Sequence, residues 1–416
     1  MTRILARAAA SGLSAGVLLV LAGGATAAGW TRPAVIPTGA GATPLSRPAI
    51  RANTTGVLVA GWQRGRDVYA AARFFGGPWS RPRRIATAAD GEAPQLVSGG
   101  ATVALGVVAG PSRTVRIARW GGAITPAVGG PAGARGARDL RLVALRNREV
   151  VAVFGRGGGV AASALAGRGA WTAPQRLFPN AAGVSLAPGP GGDVLATSLR
   201  TSARGTSVVA ALRSARQPFG PASVSPSLGR PGSVVSVAAA IRQDGRTGLV
   251  VGLSRHGGLV ALAAGAREKP VGVSAPGASI AGRVPAALGL RRIGGLVTAW
   301  RQAEGGRLRL YSARESDPGG GSWEPPLALT PRAARIGAPV IEGAPDGRTI
   351  LAYAVDGAIY VRTLTADGLG GWSAARRING AATACAFPSV AFDTARRAVV
   401  AFACGRGKRL LAVTER

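Results

Sequence analysis

One phrase recurs along this chain and limits its fold more than any other feature. It runs glycine, at most one further residue, tryptophan, two residues, proline, two residues, aliphatic. It stands at Trp30 with Pro33 and Ile36, at Trp79 with Pro82 and Ile85, at Trp171 with Pro174 and Leu177, and at Trp323 with Pro326 and Leu329. Trp372 with Ile378 keeps the phrase without its proline, and weaker copies fall at Trp120, Phe219 and Lys269-Pro270. Such self-similarity at a fixed period is the signature of a repeat architecture.

Each phrase closes a unit whose other parts also repeat. In the unit from Pro339, Pro339 to Glu342 reads as a short strand and Asp346-Gly347 as a turn. Thr349 to Val355 reads as a second, apolar strand, Asp356-Gly357 as another turn and Ile359 to Leu364 as a third strand. Gly370-Gly371-Trp372 opens the fourth. Comparable units begin near Pro48, Pro94, Arg138, Val184, Val234, Pro285, Pro339 and Pro388, with a spacing of about 49 residues. The second strands, such as Val57 to Ala60, Val150 to Val153 and Ala398 to Ala401, are apolar on both faces, as strands covered on both sides are. The 64 glycines and 28 prolines sit between these runs, where turns belong, and are too many for a helical protein.

Four short strands per unit predict one blade of an all-β propeller, and eight starts predict about eight blades, with seven as the alternative where the middle units degenerate. The last unit has only three strands before Arg416, whereas Trp30 to Ile36 is a fourth-strand phrase with no unit ahead of it. Joined, the two complete a blade and close the ring, which removes its open edges. Cys385 and Cys404 are the only cysteines. A hairpin turning at Asp393 to Arg396 sets them opposite each other, so a disulfide is expected in the same closing blade.

The first 27 residues read as a secretory signal: Arg3 and Arg7, an apolar stretch from about Leu13 to Ala22, then Ala25-Thr26-Ala27. Residues 28–416 are then a single propeller domain, exported to the cell surface or envelope, where a disulfide persists. No later segment resembles a membrane anchor. The formal charge is +33, nearly all of it arginine, against only 18 acidic residues. Such a chain attracts polyanions. Export, together with the lack of a basic-aromatic strand platform, disfavours nucleic acid as partner.

The strands ending in Gly-x-Trp-x-x-Pro resemble the sialidase-like, neuraminidase-type repeats of exported bacterial propellers. The nearest Asp-box match is Thr365 to Trp372, with Leu369 in a glycine slot; Glu315 to Gly319 before Trp323 is a poorer one. The resemblance implies the fold. It also implies, for an active member, an arginine triad, a tyrosine nucleophile paired with glutamate, and an acid/base aspartate. No motif assigns any of Tyr69, Tyr311, Tyr353 or Tyr360 to that role. Asp193, Asp244, Asp346 and Asp393 share one turn slot, which reads as turn chemistry. His256 is the single histidine, so histidine-based catalysis and multi-histidine metal sites are excluded, and no cofactor is implied.

One recurrence suggests a ligand. The loop after the second strand carries arginine in seven of eight units: Arg64 and Arg66, Arg113, Arg156, Arg200 and Arg204, Arg255, Arg301 and Arg307, and Arg406. The unit with Asp356 lacks one. In a propeller these loops share one end of the ring, so a guanidinium ring there would bind carboxylate, sulfate or phosphate. The expected function is a secreted, monomeric, non-catalytic propeller that binds an anionic polymer or glycan at the cell surface. The alternatives are a sialidase-like glycoside hydrolase and an extracellular protein-interaction scaffold.

Overall fold

The computed structural model describes residues 29–416, apart from the segments 40–42, 75, 122–125, 168, 231–233, 243–246, 254–257, 264–270, 275–278, 281–286, 291–294, 317–321, 345 and 367–369. The described residues form strands in eight separate antiparallel sheets. Seven sheets are continuous in sequence, spanning 45–87, 95–129, 138–179, 182–224, 234–272, 279–328 and 340–377. The eighth joins Ala386–Phe392, Ala398–Cys404 and Arg409–Thr414 to Ala34–Ile36 from the other end of the chain. The molecule is an eight-bladed propeller, and the seven-blade alternative falls away. In the sixth blade the innermost strand comes in two pieces, Ser279–Ile280 and Ala287–Leu290, both paired with Leu296–Glu304.

Each second strand is walled in by neighbours. All eight residues of Thr102–Ala109 are buried, as are all seven of Ala398–Cys404. Eight hydrophobic clusters fill the ring, one per interface between consecutive blades. Trp62 and Ile50 of blade one pack with Ala391, Val399 and Leu410 of blade eight, so that interface is as apolar as the others. Closure is by strand pairing. Ala34, Val35 and Ile36 pair with Ala412, Leu411 and Leu410, Trp30 bridges Glu415, and the Arg416 amide donates to the Gly29 carbonyl at 2.7 Å.

The turn between Asp393 and Arg397 is one residue longer than the sequence suggests, since Phe392 pairs with Ala398. That register alone would set Cys404 opposite Ala386. A bulge at Phe387-Pro388 corrects it: Ser389 pairs with Ala401, but Ala386 pairs with Ala403, and the Cys385–Cys404 disulfide forms at the next step. The other tryptophans of the phrase sit where expected, Trp171 and Trp323 bridging the ends of third strands at Leu165 and Glu315. Trp120 does not. It is the last residue of a third strand, fully buried and paired with Val103, because the outer strand of its blade is Ala127–Gly129. Lys269-Pro270 lies outside the described residues.

The turns divide the ring into two ends. We call upper the end with the second-to-third-strand turns and the connectors between blades, and lower the end with the inner-to-second-strand turns. At the upper end, Gly157-Gly158, Gly305-Gly306 and Asp356-Gly357 are two-residue hairpin turns with both residues at positive φ. That is the type I′ geometry which matches strand twist. At the lower end, Asp346 and Asp393 accept the backbone N–H of Arg348 and Arg397 at 3.0 and 2.9 Å, as the shared turn slot implies. Asn53 does the same for Thr55 and Val57 in blade one. Asp244 and His256 lie outside the described residues.

Candidate functional site

The lower ends of the innermost strands surround a cavity of about 900 Å³. Its wall is made by the ends of inner strands and their turns: Gly99-Gly100, Arg146, Gly189, Gly289, Glu342 and Asp346 among them. A second hollow of about 360 Å³ adjoins it beside Asn53 and Asp393. Arg51 bridges three blades here. Its Nη1 donates to the Ile50 and Val390 carbonyls at 2.9 and 2.7 Å, and its Nη2 stands 3.5 Å from the Glu342 carboxylate. Arg146 and Arg396 line the cavity with exposed side chains.

The arginines singled out in the sequence stand at the other, upper end, and the structure divides them. Several are fastened to the connector that leads into the next blade. Arg66 Nε donates to the Ala88 carbonyl at 3.4 Å, Arg113 Nε to Ala137 at 2.9 Å, and Arg301 Nη1 to Ile336 at 2.8 Å. These groups hold blade to blade, and burial pulls the pKa of Arg301 below the usual arginine value. Arg64 reaches Gly39 and Thr38. Arg113 also meets Glu92, whose other oxygen accepts the Asp139 amide. Burial raises the Glu92 pKa despite the arginine.

The remaining arginines are not so tied. Arg156, Arg204, Arg307 and Arg406 are exposed, and none has a described side-chain hydrogen bond or ion pair. Lys408 and Arg409 are exposed beside Arg406. Arg64, Arg156, Arg200 and Arg301 prove to lie within second strands and Arg307 opens a third strand, with Arg204 in the turn itself. Arg255 lies outside the described residues.

The tyrosines find a structural explanation. Tyr69 stacks on Trp62, Tyr311 on Trp300 and Tyr353 on Tyr360, each a cross-strand pair between second and third strands. Tyr311 also donates its hydroxyl to Glu304. That hydrogen bond is the main cause of the lowered Glu304 pKa, with Arg332 and Arg309 adding to it. Desolvation, then Glu304, raises the Tyr311 pKa. The pair belongs to the second and third strands of blade six, not to the cavity lining. Among the described residues no three histidine, cysteine, aspartate or glutamate side chains form a metal-binding group, and no helix is long and apolar enough to cross a membrane.

Sequence reasoning missed one residue at the upper end. Phe387 is a large apolar side chain left 54% exposed, at positive φ, in the bulge of the innermost strand of blade eight. Its signal in the sequence is slight. The residue before the recurrent unit-opening proline is Arg47, Ala93, Val284 or Ala338 elsewhere, and aromatic only here.

The chain matches no protein-family model and no curated protein. Solved structures do resemble it. The polysaccharide lyase Uly1 is similar over 80% of this chain and 92% of its own, at 9% identity and a TM-score of 0.51. The fucose-specific lectin from Aleuria aurantia covers 81% of this chain with 98% of its own, at 14% identity and a TM-score of 0.41. The NanB sialidase from Streptococcus pneumoniae covers 91% of this chain with 92% of its own, at 9% identity and a TM-score of 0.42. At these identities the likeness is one of fold.

Proposed function

We propose that this chain is an exported, monomeric, non-catalytic propeller that holds an anionic glycan or similar polyanion against the upper end of the ring. The observation that carries the reading is the set Arg156, Arg204, Arg307 and Arg406, drawn from blades three, four, six and eight and exposed without described partners. Guanidinium groups left open on one end of a ring present paired donors to carboxylate or sulfate. The excess charge of the chain draws such polymers in. The fold likeness to a polysaccharide lyase makes glycans the first polyanions to test. A glycosidase is less well supported, because the Tyr311–Glu304 pair stands away from the cavity.

The test compares two variants for binding to heparin oligosaccharides. Arg156→Ser, Arg204→Ser and Arg406→Ser combined should weaken binding at least tenfold, which corresponds to about 1.4 kcal/mol. Arg146→Ser with Arg396→Ser, at the lower cavity, should leave it nearly unchanged. The reverse pattern moves the site to the lower cavity, and no effect from either variant sinks the reading.

A further inference from the structure

We infer that Phe387 is a stacking platform for a pyranose ring; the inference rests on the reading above and names the subsite that distinguishes a sugar from any other polyanion. Two costs are visible at this residue. Just over half of its surface is exposed, so the ring gains little from packing. Its φ of 55° lies in the left-handed region, where a bulky side chain is strained and glycine or asparagine is at ease. Of the four other inner-strand bulges, the two with a left-handed residue place Gly183 there in blade four, at φ 69°, and Asp139 in blade three, at φ 51°. Neither burial nor backbone preference explains an aromatic at the eighth.

The backbone beneath Phe387 is held from three directions. Cys385, two residues earlier, is bonded to Cys404. The Cys385 amide donates to the Gly357 carbonyl of blade seven at 2.9 Å, and Ser389 Oγ accepts the Ile50 amide of blade one at 3.0 Å. An exposed ring on such a mount is preorganised, which lowers the ordering cost of binding. The face of an aromatic ring carries negative charge density that attracts the polarised C–H groups of a sugar. Arg406 stands two residues beyond Cys404, in the turn at the upper end of the same blade. An aromatic face and a guanidinium thus occupy the same end of one blade, a pairing that fits a pyranose bearing a carboxylate or sulfate.

The test uses two probes on the full chain: a heparin hexasaccharide, which has pyranose rings, and an inorganic polyphosphate of similar charge, which has none. Phe387→Asn should weaken hexasaccharide binding at least tenfold and leave polyphosphate binding unchanged. Its melting temperature should hold or rise, since asparagine relieves the left-handed strain. Phe387→Trp should keep hexasaccharide binding and shift its indole emission when the sugar is added. A Phe387→Asn protein that binds both probes as the parent does, or that melts several degrees lower, overturns the platform while leaving the arginine reading intact. A parent that binds polyphosphate but not hexasaccharide does the same. A parent that binds neither probe overturns both.

Discussion

The ends of the third strands show how single residues fasten this ring. Arg213, Glu315 and Glu415 occupy one slot, each bridged to the aromatic that opens the outer strand. Each also reaches back to the lower turn of the preceding blade: Arg213 to Glu149, Glu315 to Arg242, and Glu415 to Arg348 at 2.8 Å. Glu315 and Glu415 use their second oxygen to accept the first amide of their own second strand. The polarity of the pair is reversed between the third-to-fourth interface and the other two, so geometry and not sign defines the slot. The Glu149–Arg213 pair has under a tenth of either side chain exposed. Glu149→Arg alone buries two facing cations and should cost about 3–5 kcal/mol in a denaturant titration. Adding Arg213→Glu restores an opposite-charge pair and should recover most of that loss. A double variant no more stable than the single one would show that the slot does depend on sign.

At the scale of elements, the strands were easier to read from sequence than the site. Thr349–Val355 was legible to the residue because six buried positions in a row leave a continuous apolar run between two turn signals. The short outer strands were legible through their tryptophans in blades one, three, six, seven and eight, but not in blade two, where Trp120 mimics the phrase from within a third strand. The arginine recurrence was visible as a pattern, but what divides it was not. A carbonyl such as Ala137 O comes from a connector 24 residues from Arg113, and no local motif announces that contact. The bulge at Phe387-Pro388 was hidden for a related reason, since an extra residue on one strand shows only against its partner. The bulge also has a consequence for the disulfide, which closes a loop with a sequence separation of 19. Removing it by Cys385→Ala with Cys404→Ala should cost about 3 kcal/mol by loop-closure entropy. Deleting Pro388 should shift the register and leave free thiols detectable by alkylation; their continued absence would show that the bulge is not what aligns the cysteines.

For the whole molecule, the decisive feature is that blade eight is assembled from both ends of the chain. Trp30 is buried in the cluster shared by blades seven and eight, and Ile36 in the one shared by blades eight and one. Trp30→Ala should therefore cost about 3–5 kcal/mol, more than an exposed tryptophan would. Removing residues 29–37 should expose Arg409–Thr414 as an unpaired edge and produce self-association visible in light scattering. A truncated protein that stays monomeric and melts as the parent does would show that the ring needs no such closure. The joining of the two ends also fixes a direction. Gly29 and Arg416 meet at the lower end, beside the turn that holds Arg348. A tether attached at Arg416 departs from that side, so a molecule immobilised through it turns Arg406 and Phe387 outward, toward the medium.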